Sequence, residues 1–283
     1  MDFVAAIVLG LVLGITEFLP VSSLGHSLVL EAIFNFPHTT AVGTVKDARD
    51  GLALFIQGGA VLAVLVAYRT DLLSEARRLG SDPKARRLWL NVLLAFLPIG
   101  VLGLVANKWI TDHLFQPIVV AIALIVGGVV FLIVEATRRT DYQPTANTLE
   151  EITPRQAILV GLAQIVALIP GVSRSGATII GGLLAGLSRE VATRFTFYLF
   201  IPTLGAAAIY ALYKQLSTHV FDKSLLPLYV VATVVAFVTS LIAIQVLVRY
   251  ISTHSFRIFG IYRIIVGVII IVLIAASVIQ ATP

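Results

Sequence analysis

G-I-T-E-F-L-P-V-S-S-L-G-H (Gly14 to His26) and P-G-V-S-R-S-G-A-T (Pro170 to Thr178) break two long apolar runs with a proline and a cluster of serines. The two stretches belong to one repeat. Ala6 to Gly25 aligns with Ala157 to Gly176 at a constant offset of 151 residues. Ala6, Ile7, Gly10, Leu11, Val21, Ser22 and Gly25 recur as Ala157, Ile158, Gly161, Leu162, Val172, Ser173 and Gly176. Each copy reads as an apolar helix, a helix-ending proline, a serine-rich turn and a second apolar helix. Glu17, His26 and Arg174 therefore fall within segments that otherwise look membrane-embedded, where charged groups are costly and functional by default.

The composition fits that reading. The chain has 283 residues, 58% hydrophobic and 12% charged, with mean hydropathy +0.99. A soluble domain carries about 25% charged residues. Several apolar runs are long enough to cross a bilayer. The expectation is an all-α, polytopic membrane protein, one integral-membrane domain over 1–283 with repeat halves at about 1–140 and 150–283. The pI near 9.6 does not point to nucleic acid, because the excess charge sits in loops. Cysteine is absent, so there is no disulfide frame and no thiol chemistry. The opening Met1-Asp2-Phe3 lacks the basic start of a secretory signal.

Along the chain, a first hairpin region (about 3–34) and a polar loop (Asn35 to Asp50) precede apolar segments near 51–68, 88–106 and 117–136. A charged stretch, Thr137 to Glu151, separates the halves. Thr153-Pro154 has the form of an N-cap and first-turn proline, and opens a second hairpin region at about 154–187. Segments near 194–213, 226–248 and 258–279 follow. The hairpin arms, Phe3 to Leu19 and Ser23 to Phe34, are short for full crossings, which favours re-entrant hairpins. A hairpin plus three spans per half makes the halves an inverted repeat, the plan in which sites form where broken helices meet.

Loop charge gives the orientation. With the 69–88 loop on the cytoplasmic side, fourteen basic residues lie there: Arg69, Arg77, Arg78, Lys84, Arg86, Arg87, Arg138, Arg139, Arg155, Arg189, Arg194, Arg249, Arg257 and Arg263. Five lie opposite: Lys46, Arg49, Lys108, Lys214 and Lys223. This bias predicts both termini outside, the first hairpin dipping in from outside and the second from the cytoplasm.

The two turns carry the chemistry. Ser22-Ser23 and Ser173-Arg174-Ser175 stand at helix starts, where free N–H groups and the positive dipole end bind phosphate. The Arg174 guanidinium fits phosphate oxygens as a fork. Ser22, Ser173, Ser175 and Thr178 are expected to contact the phosphates. Ser23 offers a nucleophilic hydroxyl, and His26 stands three residues on, on the same helix face. Glu17 could orient His26 or hold a divalent cation, Mg²⁺ or Ca²⁺. Simpler readings compete. The serines serve as ordinary caps, His26 as a buried hydrogen-bonded histidine, Glu17 as an interfacial residue, and Glu17–Arg174 as a structural ion pair. Four such residues converging in two copies of one motif favour function.

Gln57 and Gln164 read as packing amides, and Pro98 and Pro202 as kinks. Arg189, Glu190 and Arg194 read as a solvated cytoplasmic turn. No Walker motif, H-E-x-x-H or metal-spaced His/Cys cluster is present.

T-E-F-L-P-V-S-S-L-G-H (Thr16 to His26) and P-G-V-S-R-S-G-A-T closely resemble the two signature motifs of the undecaprenyl-diphosphate phosphatase family, the bacitracin-resistance type. Phe55-Ile56-Gln57 and Phe195-Thr196-Phe197 resemble weaker family positions, and the resemblance covers essentially the whole chain. It implies an inverted repeat with re-entrant hairpins in the bacterial cytoplasmic membrane. It also implies removal of the terminal phosphate of undecaprenyl diphosphate, which recycles the carrier for peptidoglycan. Glu17, Ser23, His26 and Arg174 then lie at catalytic positions, with Ser23 as nucleophile and His26 as base, or His26 itself attacking phosphorus. The family usually has Glu or Gln four residues before the glutamate. Leu13 stands there, which weakens the case for a metal, and Gln164 is its repeat equivalent. The expected partners are a polyprenyl diphosphate and the membrane, with a homo-oligomer compatible and nucleic acid excluded. An inverted-repeat lipid or small-molecule transporter or flippase without hydrolysis is the alternative class, and an inactive lipid-diphosphate binder a third.

Overall fold

A proline two residues past its last turn ends the first helix. α1 (Phe3–Phe18) stops before Pro20, the chain turns through Ser22, and α2 (Ser23–Ile33) begins. The second copy does the same. α7 (Pro154–Ile165) tightens into a 3-10 turn over Val166–Leu168, Pro170-Gly171 breaks the run, and α8 (Arg174–Leu184) follows. The starts of α1 and α2 and the end of α2 map onto those of α7 and α8 at the repeat offset. Thr153 caps α7 in a capping box with Gln156, and Pro154 occupies the first turn.

The structure is a computed structural model that describes residues 3–33, 44–138, 143–217 and 225–279. The other helices are α3 (Thr44–Ala67), α4 (Arg69–Arg78), α5 (Pro83–Leu114), α6 (Pro117–Thr137), α9 (Arg189–Ser217), α10 (Leu226–Ile251) and α11 (Arg257–Ala275). Among the described residues there is no strand, only one isolated bridge between Ala146 and Leu187. Five helices are long and apolar enough to cross a membrane, and α3 joins them if it is counted with α4 across a 67° bend. The chain is an all-α, multi-pass membrane protein. At 1.5 Å per residue, the 11-residue α2 and α8 rise about 16 Å, roughly half a hydrocarbon core.

The interior is built on close backbone contact. Gly10 in α1 and its repeat mate Gly161 in α7 sit against neighbouring helices. An added Cβ would lie 2.8 Å from Ala232 O of α10 and 2.5 Å from Ala95 O of α5, respectively. So α1 packs on a span of the second half and α7 on a span of the first, through small residues, as helices do when lipid removes the hydrophobic drive. Ser240 of α10 donates to Gly14 O at 3.0 Å. α6 packs on α11, where a Cβ on Gly128 would meet Gly260 O at 2.6 Å. Phe18, Phe197, Phe200, Tyr68 and Tyr198 fill a central aromatic cluster. Large apolar side chains also cover the outside: Leu90, Leu93, Val126, Val234, Val238 and Ile242 are exposed, as a lipid-facing surface requires.

The α4–α5 connection, the segment before α7 and the start of α9 gather on one face. Arg78 pairs with Asp82 and Glu150, Lys84 with Glu150 at 3.3 Å, and Arg194 with Asp71 at 3.0 Å. Both ends of the second hairpin lie there. Gln156 at the start of α7 donates to Ala185 O at 3.0 Å, just past α8, and Thr145 N donates to Gly186 O at 2.9 Å. α7 and α8 thus leave and return on the same side.

Four sequence readings change. α3 begins at Thr44, within the expected polar loop, of which 35–43 lie outside the described residues. The 69–88 loop contains α4, whose charged residues suit a helix outside the apolar layer. The expected solvated turn at Arg189 is instead an ion pair, half-buried on the Arg189 side and buried on the Glu135 side. Arg189 donates to both oxygens of Glu135, whose side chain is 1% exposed, and Phe256 N donates to Glu135 Oε1 at 3.0 Å. Glu135 needs that cation because no water reaches it. Finally, Arg263 is not a loop charge. It lies in α11 and is wholly buried, so it drops out of the charge comparison read from the sequence, which becomes thirteen basic residues against five.

Candidate active site

The repeat places Ser23 and Arg174 at the same position, the first residue of the helix after the break. The residue before each, Ser22 or Ser173, has φ of 70° or 72°. A serine in the left-handed region costs about 1–3 kcal/mol of backbone strain, which the surrounding packing must hold. Ser173 is also the N-cap of α8, accepting from Gly176 N at 3.1 Å.

The two turns meet at Glu17, in the last turn of α1. Its Oε1 accepts from Arg174 Nη2 at 2.6 Å, and its Oε2 accepts from Ser23 Oγ at 2.7 Å. The ion pair is partly buried, with side chains 25% and 11% exposed. Ser175, wholly buried, ties the turns together by donating to Leu19 O at 3.1 Å, and its hydroxyl lies 3.0 Å from Ser173 Oγ. The N-termini of α2 and α8 thus converge on one carboxylate, one supplying a hydroxyl and the other a guanidinium.

Glu17, Ser22, Ser23, Ser173 and Arg174 line one cavity of about 780 Å³. Gln57 and Ser27 add polar wall, and Leu13, Leu97, Leu104, Ile169 and Tyr210 add apolar wall. Such a cavity takes an anionic group at the helix starts and an apolar chain along the rest.

Three expected residues face elsewhere, Ser175 among them, since its buried hydroxyl is spent on Leu19 O and it does not line the cavity. Thr178 is wholly buried a turn into α8. Its hydroxyl lies 2.9 Å from Arg174 O and 2.9 Å from Thr196 Oγ1 of α9. His26 does not line the cavity and makes no hydrogen bond to Ser23. Its Nδ1 lies 2.7 Å from Ser22 O, and its Nε2 lies 2.7 Å from Tyr262 Oη of α11. A carbonyl only accepts, so Nδ1 carries the proton and Nε2 of the neutral ring accepts from Tyr262. The two rings stack at 5.6 Å and 7°. Shared helical spacing did not put Ser23 and His26 into one site, because Ser23 is the first residue of α2 and reaches back toward α1.

A resident cation does not fit these donors. Glu17 is the one carboxylate on the cavity wall among the described residues, and both its oxygens are engaged. No group of three His, Asp or Glu side chains among them could hold a metal ion. Leu13 presents an apolar side chain to the same cavity. Gln164 is fully buried in α7, its amide without a partner, and does not line the cavity.

Sequence reading missed Tyr262 and misplaced Arg263. Tyr262 had no signal. Arg263 did: it interrupts the apolar run 258–279, as Arg174 interrupts its own.

The family model described as "Bacitracin resistance protein BacA" matches residues 6–269. The chain is 46% identical to undecaprenyl-diphosphatase 2 of Rhodospirillum rubrum over 268 residues, covering 95% of this chain and 93% of that one. It is 44% identical to the undecaprenyl-diphosphatase of Deinococcus deserti, covering 98% of each, and 43% identical to that of Methylobacillus flagellatus, covering 94% and 96%. With the match running through both hairpins and their turns, the chain belongs to the bacitracin resistance protein BacA family.

Proposed function

We propose that this protein hydrolyses undecaprenyl diphosphate to the monophosphate and inorganic phosphate in the bacterial cell membrane, recycling the lipid carrier of peptidoglycan synthesis and conferring bacitracin resistance. One observation carries the reading: Glu17 is held between the Ser23 hydroxyl and the Arg174 guanidinium where two helix N-termini converge on a largely apolar cavity. The names and similarity of the relatives support the substrate.

The diphosphate takes Arg174 away from Glu17, and the guanidinium with the first-turn N–H groups of α2 and α8 holds its oxygens. Ser22 and Ser173 stand on the same wall, and Ser175 keeps the two turns together. Ser23 Oγ attacks the terminal phosphorus and gives its proton to Glu17 Oε2, its hydrogen-bond partner. The Oγ–P bond forms as the bridging P–O bond breaks, and undecaprenyl phosphate leaves with its charge held by Arg174. Water then cleaves the phosphoserine, releasing phosphate and restoring the Ser23 hydroxyl. His26 is a second proton carrier that must leave Tyr262 to reach the phosphates, and Thr178 steadies the start of α8. Any Mg²⁺ or Ca²⁺ would arrive on the diphosphate, and no step depends on it.

The inverted arrangement belongs to the same proposal. The short hairpin arms and the thirteen-to-five charge bias support re-entrant hairpins from opposite sides, both termini outside and hydrolysis at the outer face. The test is phosphate release by purified Ser23→Ala and Glu17→Gln proteins, each expected to lose about 100-fold or more in kcat. Wild-type turnover in both overturns these roles. Translocation without phosphate release by the wild type supports a carrier instead.

A further inference from the structure

Arg263 is the one large cation buried completely among the described residues, and it contacts no carboxylate there. A guanidinium has five N–H donors, and all five point at backbone carbonyls. Nη1 donates to Val172 O at 2.9 Å and Pro20 O at 3.3 Å. Nη2 donates to Gly171 O at 3.2 Å and Ala123 O at 3.3 Å, and Nε reaches Leu124 O at 3.5 Å. These oxygens come from three places: the break of the first hairpin, the break of the second, and α6. The Phe131 ring lies 5.9 Å from the guanidinium carbon.

The arrangement is fitted around that side chain. A Cβ on Gly127 of α6 would overlap Nη2, and one on Gly176 of α8 would lie 2.9 Å from Nη1. The carbonyls of Gly171 and Val172 are turned onto Arg263, so the trans peptide after Val172 sends the Ser173 N–H to the opposite side. The next residue in that turn is Arg174. On the other hairpin, Pro20 stands three residues before Ser23. One side chain thus ties together the two turns that carry the nucleophile and the phosphate clamp.

We propose that Arg263 is a positioning residue for the reaction: it holds the two hairpin breaks in register so that Ser23 and Arg174 meet one phosphate group. This rests on the hydrolytic function proposed above. Burial of an unpaired charge for a purely structural join would be expensive, since an apolar contact between the turns would need no cation. A guanidinium reaches five carbonyls on three segments at once, which lysine cannot do.

The experiment compares wild type with Arg263→Lys and Gly127→Ala, the second displacing the guanidinium while keeping the arginine. Each is purified, checked for a monodisperse, cooperatively unfolding protein, and assayed for kcat and KM with undecaprenyl diphosphate. Affinity for inorganic pyrophosphate is measured separately. The expected result is folded protein with kcat lowered by about tenfold or more and pyrophosphate affinity lowered by about tenfold, KM rising only to the extent that the diphosphate rather than the isoprenoid tail sets it. Unchanged kcat and pyrophosphate affinity in either folded variant overturn the proposal. Failure of both to fold makes Arg263 a folding element and also overturns it. If the wild type releases no phosphate, the phosphatase reading fails, while lost pyrophosphate affinity in the variants still supports the positioning role.

Discussion

Ser22 and Ser173, 151 residues apart, turn the chain with nearly the same left-handed backbone, φ 70° and 72°, and each hands it to a helix whose first residue touches Glu17. The strain is repeated because the geometry is needed twice: each turn must reverse the chain and leave a helix N-terminus open at the cavity. Glycine relieves a positive φ, while alanine does not. Ser173→Gly loses the cap to Gly176 N but gains backbone freedom, and should be more stable than Ser173→Ala by about 1 kcal/mol. Apparent Tm values in detergent decide it. Equal stability of the two variants would mean that the left-handed turn carries no strain.

The Glu135–Arg189 pair should matter far from the site. Removing the carboxylate leaves the Arg189 guanidinium and the Phe256 N–H without their acceptor under α6 and α11. Glu135→Ala should destabilise the protein by about 1–2 kcal/mol, less than for a fully buried pair because the Arg189 side chain is 34% exposed. KM of the protein that remains folded should stay near wild type. Thermal unfolding and KM test this together, and an unchanged Tm would show that the pair is dispensable.

Leu13 lies one helical turn before Glu17 and lines the same cavity. Leu13→Glu places a second carboxylate on that face, where two can share a divalent ion. Activity titrated with Mg²⁺ and Ca²⁺ should become more ion-dependent than in the wild type. An unchanged response would remove position 13 from any role in ion binding.

Much of this was legible in the sequence. The breaks at Pro20 and Pro170-Gly171, the cap at Thr153 and the helices over all six apolar segments follow from local chemistry, since helix starts and stops are set within a few residues. The Glu17–Arg174 pair was legible as one of the competing readings, because charges in apolar runs need partners, whereas the Ser23 bond to Glu17 in place of His26 was not. The partner of His26 was not: Tyr262 lies 236 residues away on α11, and no local pattern encodes that contact. Arg189 and Arg263 were misread for a related reason. A cation near a helix end reads as solvated unless its acceptors are known, and Glu135 and the hairpin carbonyls come from distant segments.

The orientation is open to a direct check, because the chain has no cysteine. Asp112 at the end of α5 and Ser81 before it are both exposed and lie at opposite ends of that helix. Asp112→Cys should react with an impermeant thiol reagent on intact cells, and Ser81→Cys only after the membrane is opened. The reverse pattern would invert the protein and move the first hairpin to the cytoplasmic side.

Arg174, paired with Glu17 at 2.6 Å, is proposed to move onto the substrate phosphate. The direct measurement is phosphate release from undecaprenyl diphosphate by purified wild type, Arg174→Ala and Arg174→Lys. Arg174→Ala should fold and lose activity by roughly 1000-fold, and Arg174→Lys should also be poor, because an ammonium cannot fork onto two oxygens. Near wild-type turnover by folded Arg174→Ala would contradict the account.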